Sequence, residues 1–288
     1  MNRFPAASRQ AGRERAASVG WGMMEGARKP PTAAIIASLA GVEGRKLVGH
    51  PFFLGGVAFA LIGSGRFVRA SLARPGVTWD HDGWTVAVGF FLLGISTMVA
   101  ANHAALRDRR EHAEEQHSML PVGAPTRTMG LLAAMLWPVT IAAVLLAAVV
   151  GFAASKGIVV DDVEVVHLVE GISTILMLGA MGIAIAAWLP SPFVTPVLGW
   201  TLFLVTPGNV PQSWHSLAPF ARMRSTELAM LHLTYLGGLT AIFALIALAR
   251  SSRFRSLLLP VVIATAIVIA SGTILLVRAC SPDGTCLV

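Results

Sequence analysis

Residues 128–155 read TMGLLAAMLWPVTIAAVLLAAVVGFAAS, 28 consecutive positions without a charge between Arg127 and Lys156. A helix that crosses the ~30 Å hydrocarbon core of a bilayer needs about 20 mostly apolar residues. The stretch is long enough to cross. The same measure applied outward gives uncharged runs of 24 residues between Asp82 and Arg107, 19 between Lys46 and Arg66, 22 between Glu227 and Arg250, and 22 between Arg255 and Arg278. One run is too long for a single span: 51 residues separate Glu170 from Arg222. Pro190 and Pro192 divide it, because proline ends helices and restrains the residue before it.

Composition agrees with this reading. Of 288 residues, 55% are apolar and 13% charged, against about a quarter charged in a soluble domain. A mean hydropathy of +0.70 excludes an ordinary soluble globule, and the wealth of Leu, Ile and Val excludes a disordered chain. The expected fold is an all-α polytopic membrane protein with seven spans, at about 48–70, 83–104, 129–154, 167–189, 193–206, 229–249 and 257–277. The fifth reaches Pro207-Gly208 after 14 residues. Beyond it, 207–226 holds Asn209, Gln212, Ser213, Trp214, His215 and Pro219, and reads as a polar, external re-entrant or interfacial segment.

The net charge of +7 reflects topology rather than a nucleic-acid partner, since no basic run sits beside aromatics that could stack on bases. Counting alternate segments from the N-terminus, one side holds 15 Lys/Arg and the other 7. Cytoplasmic loops hold the excess, so the N-terminus is expected inside and the C-terminus outside; the expected location is a plasma (inner) membrane. Arg66 and Arg69 must then snorkel to the outer interface. Trp79, Trp84 and Trp188 fall near membrane edges, where amphipathic rings belong. Residues 1–32 form a basic cytoplasmic tail expected to be disordered. It lacks the apolar core of a cleavable signal peptide. Its Arg3, Arg9, Arg13 and Arg15 suit either solvent or anionic lipid. Cys280 and Cys286 flank Ser-Pro-Asp-Gly-Thr on the outer side. They are a candidate disulfide, with two free thiols as the alternative.

Two segments next to the spans can carry function. Residues 104–120 contain no Gly or Pro, and Pro121 stops them. Arg107 with Glu111, and Arg110 with Glu114, are spaced to share a helix face. This is either a solvated linker or a docking helix for a cytoplasmic partner. Residues 33–47 place Ile35, Leu39 and Val42 on one helical face with Arg45 and Lys46 at the end. They are too short to span and fit an interfacial helix, although Gly41 and Gly44 weaken it.

The run Glu43-Gly-Arg-Lys-Leu-Val-Gly-His-Pro-Phe-Phe resembles the approach to the first span in ABC-2-type transporter permeases. The loop from Arg110 to Arg127, with Glu114-Glu115 and Met119-Leu-Pro-Val-Gly-Ala-Pro-Thr, is similar to that family's segment between spans two and three. The interrupted fifth span with its polar sequel is similar to the family's external re-entrant helices. The resemblance covers roughly residues 35–250 and implies a six-span permease core over 33–250. The part at 251–288, with its span and Cys tail, is additional, and His112 and His117 make the loop more polar than the family pattern. The resemblance further implies the transmembrane subunit of an ABC exporter, paired with a second permease subunit as a homodimer or heterodimer and with a separate ATP-binding cassette ATPase. Arg107, Arg110, Glu111, Glu114, Glu115 and Leu120, with Glu43, Arg45 and Lys46, would couple to that ATPase. The sequence has no G-x-x-x-x-G-K-[ST] phosphate loop, so hydrolysis would belong to the partner and this chain would be no enzyme.

Other chemistries fit less well. No Cys/His zinc spacing occurs, and His112 and His117 are five apart, off one helix face. His103 falls near the inner end of its span, whereas His167 and His232 fall near outer ends, which makes a haem pair unsuitable. No metal or cofactor is expected. Glu170 reads either as a wetted acid within a turn of the outer edge or as a proton or cation site near an exit. No Ser/His/Asp set converges at one depth, as an intramembrane enzyme would require. A self-contained secondary transporter and a non-transport anchoring or regulatory subunit remain as alternatives. Gly89, Gly94, Gly179, Gly182, Gly237 and Gly238 are suited to close helix packing.

Overall fold

The computed structural model describes residues 31–73, 84–110, 123–158, 162–205, 225–251 and 257–279. Among these, all regular structure is helical: α1 (Thr32–Val48), α2 (Pro51–Ala73), α3 (Trp84–Arg110), α4 (Ala124–Ala134), α5 (Leu136–Ser155), α6 (Asp162–Trp188), α7 (Val194–Val205), α8 (Thr226–Ser251) and α9 (Leu258–Ala279). Helices satisfy every backbone polar group within one segment, as hydrocarbon demands. Six of the helical segments, counting α4 and α5 as one, are long and apolar enough to cross a membrane. The chain is an all-α, multi-pass membrane protein.

Local chemistry sets the helix ends. Pro51 opens α2, where a missing N–H costs nothing. His50 precedes it as the cap: its carbonyl accepts from Leu54 N–H at 3.0 Å and its Nδ1 accepts from Phe52 N–H at 3.4 Å. Gly157, at φ +73°, closes α5. Its N–H donates to Ala154 O at 3.0 Å and Ile158 N–H donates to Ala153 O at 3.1 Å, the paired bonds of a Schellman stop. The third span is broken at Met135. Pro138 has no N–H to give Ala134 O and its ring crowds that carbonyl, so the sequence that opened the argument folds as two helices, not one.

Contacts between helices fix their directions. Along α2, Gly56 meets Leu93 and Ser96 of α3, and Gly63 meets Thr85 and Gly89, so these two run antiparallel. Along α6, Ile175 and Leu178 meet Gly94, and Gly182 meets Met98, so α3 and α6 run parallel. Glu170 lies beside His232, and Trp188 Nε1 donates to Ile246 O at 3.0 Å, so α6 and α8 are also parallel. Gly238 packs on Val268 while Glu227 faces Arg278, which makes α9 antiparallel to α8.

Parallel α6 and α8 require the chain between Trp188 and Thr226 to return across the bundle. The 12 residues of α7 cover about 18 Å of that path at 1.5 Å per residue. α7 lies within that connection and is shorter than the six long helices. Gly199 seats α7 on Ile95 and Met98 of α3. Two ends of the bundle follow. The elbow end carries α1, Arg107, Trp188 and Arg250. The far end carries Arg66, Lys156, His167, Glu227 and Arg278. Central positions belong to α3 and α6, with 67% and 56% of their spans buried against 22–33% for the others.

The sequence boundaries move in three places. The elbow expected at 33–47 is α1, but its packed face is Leu39 against Gly130 and Gly44 against the Trp137 indole. Val42, expected on that face, is exposed. The helix expected at 104–120 is, as far as Arg110, a continuation of α3 and not a separate element. Thr226, assigned to a re-entrant segment, begins α8, and Ser225 before it caps the helix, its Oγ accepting from Leu228 N–H at 3.4 Å.

Candidate functional site

At the elbow end the structure joins two segments that the sequence kept apart. Arg107 Nη2 donates to both carboxylate oxygens of Glu43, at 2.9 and 2.8 Å. Lys46 Nζ lies 3.4 Å from the same carboxylate. Glu43 retains 19% side-chain exposure and Arg107 29%, so the pair is partly shielded from water and stronger than a surface bridge. Arg107 thus turns to a residue 64 positions earlier, and Glu111, its expected helix-face neighbour, lies outside the described residues. Arg45 and Lys46 are exposed. The ion pair fastens α1 to the end of central helix α3.

Below this pair His50, Phe52 and His103 form an aromatic triad. His103 meets both His50 and Phe52 edge-on at 5.4 Å between ring centres, and His50 stacks on Phe52 at 5.6 Å. Burial lowers the pKa of His50 below its ordinary value of 6.5, and the charge of His103 lowers it further. The cap explains the chemistry: Nδ1 accepts from Phe52 N–H only while it carries no proton.

The far end holds a second cluster. Glu170 is 2% exposed and His232 fully buried. His167 Nδ1 lies 2.8 Å from Glu170 Oε2, one turn away on α6, and His232 Nδ1 of α8 lies 3.1 Å from Oε1. Tyr235 stacks on His232 at 6.1 Å. Glu170 is therefore not the wetted edge acid that its position suggested. The signal was present in the i, i+3 spacing of His167 and Glu170 and in the equal depth of His167 and His232, but span counting does not say which helices become neighbours. His103 lies at the opposite end from both.

Of the expected coupling residues, the structure brings together Glu43, Lys46 and Arg107. Arg110 ends α3. Glu111, Glu114, Glu115 and Leu120 lie outside the described residues, as do the basic tail up to residue 30, residues 206–224 and the cysteines Cys280 and Cys286. No protein-family model, no curated protein and no solved structure matches this chain.

Proposed function

We propose that this chain is the transmembrane permease subunit of an ATP-driven ABC exporter, forming half of a dimeric translocation path and taking its energy from a separate ATPase. The Glu43–Arg107 pair carries the reading. It ties a charged helix outside the spans to the end of α3, the most buried helix, so a partner that pushes on this end moves the bundle centre rather than a loose loop. The surplus of Lys/Arg on the segments at the elbow end supports a cytoplasmic elbow end in a plasma (inner) membrane, with the C-terminus outside. Closure of the ATPase would then tilt α3 and its parallel neighbour α6 as a rigid pair, opening a lateral or central path.

The test is purification of the tagged full-length chain in mild detergent from cells that express its genomic neighbours, with mass spectrometry and an ATP-hydrolysis assay of the eluate. A nucleotide-binding subunit that is recovered with the wild type and lost with the double variant Glu114→Lys, Glu115→Lys is the expected result. Recovery of no ATPase would overturn the reading. A second reading, a self-contained transporter driven by an ion gradient, draws on one observation, the acid and two imidazoles buried among the spans. Transport that follows the gradient and ignores ATP would favour it.

A further inference from the structure

At the elbow end, α6 finishes on Trp188, whose indole is fixed by its neighbour α8. Nε1 donates to Ile246 O at 3.0 Å. The guanidinium of Arg250, one turn further along α8, lies over the same ring at 5.9 Å from its centre, within the reach of a cation–π contact. A carbonyl thus holds the edge of the ring and a cation holds its face. The end of α8 is tied down as well: Ser251 Oγ accepts from Thr128 Oγ1 of α4 at 3.3 Å and donates to Leu248 O at 3.0 Å.

This fixed pair is open to its surroundings. Trp188 keeps 54% exposure, and Leu189 after it is exposed too. Arg250 is exposed, and among the described residues no carboxylate pairs with it. Glu43, at the same end, is engaged by Arg107 and Lys46. The last turn of α8 favours a cation at Arg250 through the helix dipole. A guanidinium offers five N–H donors in a planar fork that matches a phosphate bidentately.

Depth selects the ligand. Ile246 stands about 6 Å inside Arg250 at 1.5 Å per residue, so the indole reaches from hydrocarbon to the level of the headgroups, where amphipathic rings settle. A ligand at this place must offer an anion to the guanidinium and hydrocarbon to the indole. A phospholipid offers both, whereas a soluble acidic protein offers only the first. A headgroup with net negative charge fits better than a zwitterionic one, because the site presents a cation and pairs no carboxylate that would receive an ammonium.

We infer that Trp188 and Arg250 form a binding site for an anionic phospholipid, whose phosphate the Arg250 fork takes while an acyl chain lies on the exposed indole, joining the ends of α6 and α8. The site does not depend on what energises transport, so it stands whether or not an ATPase binds.

The experiment is native mass spectrometry of the full-length chain in a neutral detergent, titrated with phosphatidylglycerol and, in parallel, phosphatidylcholine. The first phosphatidylglycerol should bind more tightly than the first phosphatidylcholine. Arg250→Gln should weaken it about fivefold, the share of one basic side chain at a membrane surface. Arg250→Lys keeps the charge without the fork and should restore only part of the affinity. Lys156→Gln removes another exposed cation, which lies over the Phe152 ring at the far end, and should leave the first lipid bound as before. Excess glycerol phosphate, a headgroup without tails, should not displace it. Equal binding of the two lipids, equal losses in Arg250→Gln and Lys156→Gln, full affinity in Arg250→Lys, or displacement by glycerol phosphate would each overturn the inference. Should Arg250→Gln fail to fold, Arg250→Lys and Trp188→Phe decide: both are expected to weaken binding, and full affinity in either refutes the site.

Discussion

Single residues here act mainly through what they leave out. At Gly182 a Cβ would collide with the backbone carbonyl of Met98, which neither helix can move cheaply. Gly182→Ala should separate α3 from α6 and cost about 1–3 kcal/mol, read as a lower midpoint in thermal unfolding in detergent. Gly237 on α8 has open space around its Cβ position. Gly237→Ala should therefore be neutral or stabilise by about 0.5–1 kcal/mol through helix propensity alone. An equal loss at both positions would mean that these glycines do not report helix contact. His50 gives a pH signature. Its pKa in the fold lies below the 6.5 of an exposed imidazole, from burial first and His103 second. The unfolded chain thus takes up the proton first as pH falls. Stability is complete above about 6.5, declines below it, and levels off once pH passes the folded value. Thermal midpoints measured across this window should show the decline in the wild type and less of it in His50→Gln. The sign could not be read from the sequence, because His50 looked like part of a span approach, and only the cap on Phe52 and the His103 contact reveal why it stays neutral.

At the scale of elements, the Glu43–Arg107 pair makes α1 part of the bundle. A double-mutant cycle with Glu43→Gln and Arg107→Gln should return a coupling of about 1–2 kcal/mol, above that of an exposed bridge and below that of a fully buried one. A coupling near zero would detach α1 from α3 and remove the main support for the coupling surface. The elements themselves were legible from charge spacing. The helix expected at 193–206 is α7 at 194–205, too short to count among the six spanning helices, and the break at Pro190 and Pro192 falls between Trp188 and Val194. Less legible were features that depend on neighbours. Pro138 breaks the third span because its own i−4 carbonyl loses a donor, an effect hidden inside an unbroken apolar run. Gly44, read as a weak point of the elbow, is what admits Trp137. Helix spacing, a local rule, places Glu111 on the face of Arg107 but does not reveal Glu43, 64 residues earlier, as a partner of Arg107. The burial of Glu170 was hidden for the same reason: sequence gives depth along a helix but not the α8 imidazole facing it.

For the whole molecule, the decisive feature is parity. Six long apolar helices alone would return the chain to the side where it started. The parallel course of α3, α6 and α8 demands a further crossing between Trp188 and Thr226, and so puts α1 and the C-terminal end of α9 at opposite ends. The proposed function depends on this, because the coupling surface needs α1 and Arg107 together at one end. In a background with Cys280 and Cys286 changed to Ser, single cysteines at Arg45→Cys and Arg278→Cys, both exposed positions, can be labelled with a membrane-impermeant thiol reagent in sealed vesicles of known orientation. Labelling of the two from opposite sides, with Arg45→Cys reached only from the cytoplasmic face, is the predicted result. Labelling of both from the same side would contradict the seven-traverse fold and the account built on it.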